Sequence, residues 1–393
     1  MKAVVVGSMN CLPTEYAILL KKYCNPVIHY YDADEHDTLS NPRIRWGDDS
    51  VQVTQGVTIK KIAFHHHLSY LFPWLFHFKL LAQLKSADLI LLSGPSISLA
   101  RWLAGKQVVA LAYGNDISLF CNPEWPAMSV SEVTGLKRFI KPFLRYLKSR
   151  FVSAQVSGLK SCTHYSYFVP GFDIEIDSLL ERLLAGADQP KRLTRYSINI
   201  DILEMARFRA PLPPLPECYR ILFPVRFSQG NELLGDKGWK LLFDGLKKYK
   251  AIAKRKFICI CFKKGNYFDA MAYAKAQGIE DVVKWQDVVS FDILIQYYRR
   301  SDVVVEQLGT HWIGQGLYAM ALGKPVIGRV STKSQKDFFK ESGLLQVENV
   351  DQLVAHLSKC ESKEYCESTG NKSSQFVRTS ANIESEFLQW RLL

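Results

Sequence analysis

Short β-branched or apolar runs alternate with segments of helical period along most of the chain. Ala3–Val6, Val27–Tyr31, Leu89–Leu92 and Val108–Ala112 are too short for helices and carry almost no polar residue, so they read as buried strands, with amphipathic segments between several of them. Strands covered on both faces lose the in/out alternation of a half-exposed sheet, which points to parallel strands sandwiched by helices. The alternation restarts near residue 220. It predicts strands over Arg220–Val225, Phe257–Phe262, Val282–Trp285, Val303–Val305 and Pro325–Gly328, with helices over Trp239–Lys248, Tyr267–Gln277, Phe291–Arg299 and about Gly316–Leu322.

Between the two series, APLPPLPE places four prolines within 210–217, which no helix tolerates. The pattern therefore divides the chain into a Rossmann-like acceptor-side domain over 1–208, a proline-rich linker over 209–218 and a second Rossmann-like domain over 219–372. A tail over 373–393 follows. Its Phe387, Leu388, Trp390 and Leu392 predict a helix that packs back on the first domain. At 393 residues the chain is too long for one ordinary core, which agrees with two domains. Doubly wound sheets bind ligands beyond the carboxyl ends of their strands, so two such domains are expected to face each other across a ligand-binding cleft.

Composition narrows the function less than the pattern does. Apolar residues make up 48% and charged residues 22%, a globular balance that argues against long disorder. A formal charge of +12 suits phosphates, anionic lipid or nucleic acid without choosing among them, and no nucleic-acid recognition motif is present. The nine cysteines show neither CxxC pairing nor metal-ligand spacing, which fits a reducing compartment. The opening MKAVVVGSMN reads as a first buried strand and turn rather than a secretory h-region, and the expected location is cytoplasmic. His67–Leu84 is the most apolar stretch, but His77, Lys79 and Pro73 leave it short of the ~20 apolar residues that span a bilayer.

The candidate chemistry lies mainly in two segments of the second half. FPVRFSQGNELLGDKGWKLLFDGL sets Arg226 just past a strand, with Lys237 and Gly238 at the start of the next helix. Two fixed cations beside helix-start N–H groups are what a leaving diphosphate requires. The other segment is SDVVVEQLGTHWIGQGLYAMALGKPVIG, Ser301–Gly328: a buried strand, a glycine-containing loop, a small-residue helix and GKPV entering a further strand. Together these segments resemble the donor-binding stretch of family 4 glycosyltransferases and their relatives, in the expected order and over most of the second domain. The resemblance implies a GT-B fold and transfer of a sugar from a nucleoside-diphosphate sugar to a glycan or lipid-linked acceptor. It also implies retention of anomeric configuration, with no cofactor and no metal. Arg226 and Lys237 carry the diphosphate grip, while Gly238, Glu306, Thr310, His311, Gly314 and Tyr318 line the donor side.

The chain departs from the family pattern at one conspicuous place. Two glutamates eight positions apart are usual, the second directly before AMA, and Thr310 and Tyr318 occupy those positions here. Glu306-Gln307-Leu308 resembles a variant in which an acid follows the buried strand, so Glu306 either takes over a polar contact or forms a structural ion pair. In the first half, AYGNDI at Ala112–Ile117 resembles the family's His-Gly-Ser-Asp element, with Tyr113 in place of the histidine and Gly114 and Asp116 matching. Asp116 thereby joins the catalytic candidates. The first turn, beginning at Gly7, resembles the family's first glycine loop, and YSINID at Tyr196–Asp201 its loop before the linker.

Asp32 and Asp34 read as a solvated strand-end loop rather than a metal pair, and His65, His66 and His67 as a loop or cleft lining, since three adjacent side chains cannot all face one ion. Gly135–Phe151 places Phe139, Phe143, Leu144, Leu147 and Phe151 at helical spacing, with Lys137, Arg138, Lys141, Arg145 and Lys148 at other positions. It reads either as a helix lying on an anionic membrane surface, which would make the protein peripheral, or as an ordinary helix with a solvated cationic face. The missing acidic pair keeps a second function open, a catalytically silent GT-B-like module that binds a glycan or a partner.

Overall fold

The computed structural model describes residues 1–8, 11–32, 41–42, 55–64, 66–112, 114–128, 140–186, 190–194, 198–205, 217–228, 237–309 and 314–392. The chain forms two compact units, Met1–Tyr196 with Glu386–Leu393, and Ser197–Ser385. The proline-rich stretch at 209–216, Tyr113, Thr310 and His311 lie outside the described residues.

The first unit holds a seven-stranded sheet of β1 (Ala3–Val6), β2 (Val27–Tyr31), β3 (Val57–Lys61), β4 (Leu89–Leu92), β5 (Gln107–Leu111), β6 (His164–Tyr167) and β7 (Lys191–Thr194). Its order is β3-β2-β1-β4-β5-β6-β7, and every pairing is parallel. Val4 sits between Ile28 on one neighbour and Ile90 on the other, which explains why AVVV and LILL are apolar at every position. β3 and β7, reading VTIKK and KRLT, were not foreseen: as edge strands with mostly exposed or half-buried side chains, they have no need of an apolar run.

The second unit holds β8 (Tyr219–Phe223), β9 (Phe257–Phe262), β10 (Val283–Gln286), β11 (Val303–Val305), β12 (Val326–Gly328) and β13 (Leu345–Gln346) in the order β10-β9-β8-β11-β12-β13, again all parallel. Helix Trp239–Lys250 buries Trp239, Leu242, Phe243, Leu246 and Tyr249, the i, i+3, i+4 spacing that gives one apolar stripe. The ring of Phe227 meets Trp239, Phe243 and Trp285 at centroid distances of 6.0, 6.0 and 5.3 Å, and each such buried ring contributes on the order of 2 kcal/mol.

Helix Lys363–Ser380 runs unbroken past residue 373, where the sequence pattern had divided a domain from a tail. Ser362 caps it by accepting from the Tyr365 N–H, and Gly370 lets its backbone press on Gly323, where a Cβ would lie 2.0 Å from the carbonyl oxygen. Its polar composition hid this packing, because the contact is made by Gly370 and by Ser374, whose Oγ donates to the Ala321 carbonyl at 3.1 Å. Beyond helix Ile383–Gln389, Trp390 stacks on Tyr16 at 5.4 Å and donates its indole N–H to the Thr194 carbonyl.

Close approach also fixes helix Lys141–Ser161 in the first unit. A Cβ on Gly158 would fall 2.2 Å from the Ile97 carbonyl oxygen, so the helix can lie flat on segment 94–102 only with glycine there. Gly158→Ala should cost roughly 2 kcal/mol or more, whereas Gly105→Ala, strained by its φ of 75° but facing open space, should cost about 1 kcal/mol. Denaturant unfolding of the two variants checks the ordering, and equal losses would refute it.

Candidate functional site

In each sheet the winding direction reverses beside the first strand: β1 lies between β2 and β4, and β8 between β9 and β11. The helices that follow such neighbouring strands leave on opposite faces, so a crevice opens at the carboxyl ends of the pair. The candidate residues of the second unit all belong to segments that leave β8 and β11 at that end.

Arg226 follows β8 by three residues, and its neighbour Phe227 is anchored in the aromatic cluster. The Phe227 N–H donates to the Lys264 carbonyl at 3.0 Å and its carbonyl accepts from Asn266, which fixes the backbone beside Arg226. Gly265 has φ of 72°, and a Cβ there would meet the Arg226 Cγ at 2.6 Å, so the arginine stem lies across this glycine. The Arg226 Nε is buried and has no hydrogen-bond partner among the described residues. A buried guanidinium N–H left this way is ready for an anionic acceptor.

Lys237 and Gly238 precede helix Trp239–Lys250. Gly238 is its N-cap at φ 70°, and a Cβ there would strike the Leu308–Gly309 peptide at 2.4–2.5 Å. The Lys237 carbonyl accepts from the Leu308 N–H at 3.1 Å, so the helix start is tied to the loop after β11. The Lys237 ammonium donates to Gln307 Oε1 at 2.7 Å. That orients the Gln307 amide to donate with its nitrogen, and Glu306 accepts from it as well as from the Gln307 and Gly316 backbone N–H groups. Lys237, Gln307 and Glu306 thus form one polar relay.

Glu306 is buried, and its Oε2 has no hydrogen-bond partner among the described residues. Burial pushes its carboxyl up to about 7, against the opposing pull of its Gln307 hydrogen bonds, the Lys237 charge and the Gly316 N–H. Gly314 is half-buried just before helix Gly316–Ala321. Tyr318, on that helix, is buried with its ring against Phe291 at 4.8 Å. Its ring therefore makes a packing contact where the family pattern places an acid.

In the first unit the loops after β1 and β4 meet. Gly7, at φ 119°, donates to the Tyr30 carbonyl, and a Cβ on it would lie 2.8 Å from both Cβ and O of Ser93. Asp116 is fully buried and accepts the Gly94 N–H at 3.1 Å. The Gly94 carbonyl accepts from Gln155 Nε2 at 2.8 Å, and Gln155 Oε1 accepts from the Ser98 N–H. Through this bond Asp116 braces the loop that follows β4. Gly114 opens the short helix Gly114–Ser118 that carries it. Asp32 accepts from Ser8 Oγ at 2.5 Å and so braces the same first turn; Asp34 and His65 lie outside the described residues. His67 packs among Phe151, Trp125 and Phe120, and burial pulls its pKa down to about 4. Sequence reasoning missed the Ser93-Gly94 turn and Gln155. A buried LILL strand running directly into Ser-Gly-Pro was the available signal for the turn; Gln155 sits mid-helix and left none.

The raised Glu306 carboxyl sets the sign of a pH effect. An acid whose folded pKa exceeds its unfolded value binds its proton more tightly when folded, so its contribution is full below about pH 4.5, falls between there and about 7, and stays lost above. Glu306→Gln should therefore stabilise the chain at pH 8, by as much as about 3 kcal/mol, with no gain at pH 4. Thermal unfolding of both proteins across this range checks it; a gain of equal size at both pH values would contradict the burial argument.

No family model matches the chain, and no curated protein matches it in sequence. Solved structures do. A sucrose-phosphate synthase from Thermosynechococcus elongatus is 13% identical with a TM-score of 0.60, over 99% of this chain and 97% of the other. Anabaena HepE, solved with UDP and glucose, is 13% identical with a TM-score of 0.59 over 99% and 98%. A putative UDP-N-acetylglucosamine 2-epimerase from Listeria monocytogenes is 14% identical with a TM-score of 0.55 over 100% and 95%. The likeness spans the whole chain and takes in both doubly wound sheets: this chain has the GT-B fold.

Proposed function

We propose that the chain is a glycosyltransferase that moves a sugar from a nucleoside-diphosphate sugar to a glycan or lipid-linked acceptor. The observation that carries the reading is that Arg226, with its buried open Nε, and Lys237, held on Gln307 of the β11 segment, both lie on the connection that leaves β8 at this crevice. In this reading Arg226 and Lys237 take the negative charge that grows on the diphosphate as the glycosidic bond breaks, which lowers the barrier where charge develops. Lys237 exchanges its neutral Gln307 acceptor for a phosphate oxygen. Gly238 supplies a close backbone approach, and Glu306, with Gly314 and the loop carrying Thr310 and His311, faces the donor. Gly7, Tyr113 and Asp116 are the first unit's candidates in the same reading.

Uridine is the base of choice, because structural neighbours such as HepE were solved with UDP. Retention of configuration and independence of a metal ion belong to the same proposal and rest on the family resemblance alone.

A second reading is favoured by one specific observation. Tyr318, buried against Phe291, stands where an acid usually meets the ribose, and a chain without that contact could bind a donor or glycan and turn nothing over. Release of UDP from UDP-sugars in the presence of acceptor extracts separates the two, since a silent module releases none.

UDP at about a hundredfold excess over its Kd should stabilise the chain by ~2.7 kcal/mol, a shift of several degrees in the melting midpoint. Arg226→Ala with Lys237→Ala should abolish that shift. Thermal unfolding with UDP, GDP, ADP and CMP reads both results, and an undiminished shift in the double variant would remove the proposed grip.

A further inference from the structure

A patch of exposed aromatic side chains lies on the first unit, in elements that the donor reading does not use. Helix Pro73–Phe76 and the start of helix Phe78–Lys85 leave Trp74 57%, Leu75 64% and Phe78 58% exposed. Trp74 packs edge-on against Trp102 at 5.7 Å and against Phe72 at 5.9 Å, so three exposed rings form one group. Beside them a hollow of about 490 Å³ is lined by Phe72, Trp74, Arg101, Trp102, Tyr146 and Arg150. Tyr146 and Arg150 belong to helix Lys141–Ser161, which adds Phe143, 61% exposed, one turn earlier.

Of Gly135–Phe151, residues 135–139 lie outside the described residues, and the two readings apply to different ends of the helix that carries the rest. From Phe151 onward the apolar positions other than the half-buried Val156 are buried, as an ordinary core-facing helix requires. Before it, Ile140, Phe143 and Tyr146 point outward at a spacing of three, and no residue of 141–150 is buried. Large apolar side chains concentrated this way on one surface mark an interaction site.

Charge identifies the occupant. No Asp or Glu falls between Asp49 and Asp88, between Asp88 and Asp116, or between Glu132 and Asp173, the three stretches that build the patch. Every charged side chain in those stretches is therefore basic, Lys79, Arg101, Lys141, Arg145 and Arg150 lying on the patch elements, with the Arg101 guanidinium 5.5 Å from the Trp102 ring centroid. Lys148 is left out of this set because it sits over Trp125 at 5.1 Å. A protein partner would ordinarily be met by charges of both signs, whereas tryptophan and tyrosine with a cationic rim match the interfacial layer of a bilayer. Among the described residues no helix is long and apolar enough to cross a membrane, so the contact would lie in the surface plane.

We propose that Trp74, Leu75, Trp102, Phe143 and Tyr146, ringed by Arg101, Arg145 and Arg150, dock the first unit on an anionic phospholipid surface. The aromatic rings enter the headgroup layer and the arginines meet lipid phosphates. This inference stands apart from the donor site and survives if that reading fails.

Co-sedimentation of the full chain with phosphatidylcholine vesicles, with and without phosphatidylglycerol, tests it. The chain should pellet with the anionic vesicles and far less with the neutral ones, and lose binding as salt rises. Arg145→Ala with Arg150→Ala should weaken binding on the order of thirtyfold and flatten the salt dependence. Trp74→Ser and Phe143→Ser, made separately because each changes one exposed ring, should each weaken binding about tenfold with an unaltered melting midpoint. Absence of wild-type binding to anionic vesicles overturns the proposal. Binding that both ring variants retain in full overturns it as well, since charge alone would then account for the pelleting. A UDP-induced melting shift measured in the same variants keeps the outcome separate from that of the donor site.

Discussion

The reversal of winding beside β8 is the constraint on which the second unit depends. Two parallel neighbours bury β8 at every position but Arg220, and because the following helices leave on opposite faces, its carboxyl end cannot be covered by either. What fills that opening is polar and basic: Arg226 from the β8 segment, Lys237 from a helix start, and Gln307 with Glu306 from the β11 loop. The apolar cluster under Phe227 and Trp239 holds this polar set in place, since Phe227 fixes the segment carrying Arg226 and Trp239 fixes the helix that Lys237 precedes.

Glycines set how closely these pieces approach. Gly238 admits the Leu308–Gly309 peptide and Gly265 admits the arm of Arg226, both at positive φ, where any side chain would be strained as well as crowded. Gly7 does the same against Ser93 in the first unit, so each sheet brings two strand-end loops into contact beside its reversal. In the first unit the contact is locked by Asp116 and Gln155, which hold the N–H and the carbonyl of Gly94 from opposite directions.

The lipid-facing patch follows from a different balance. Helix Lys141–Ser161 is long enough to serve two surroundings, a buried half ending against segment 94–102 and an outward half whose aromatic residues lie beside Trp74 and Trp102. Residues from three separate stretches of the chain share that surface, and only their common lack of acidic neighbours is visible in one dimension.

The sequence by itself determined the two parallel sheets, because strands buried on both faces must be apolar throughout and therefore announce themselves, as AVVV, LILL, FICICF and VVV do. It also singled out Arg226, Lys237 and Gly238 from strand ends and helix starts, and Glu306 through its resemblance to a family variant. The edge strands β3 and β7 escaped it, since half-exposed edges impose no pattern, and so did the burial of Tyr318 against Phe291. Only the tertiary structure decided that Lys237 is tied through Gln307 to a buried Glu306, that Asp116 serves Gly94, and that Trp74, Trp102 and Tyr146 share one surface. Each is a contact between residues far apart in the chain, fixed by packing and close backbone approach rather than by local periodicity.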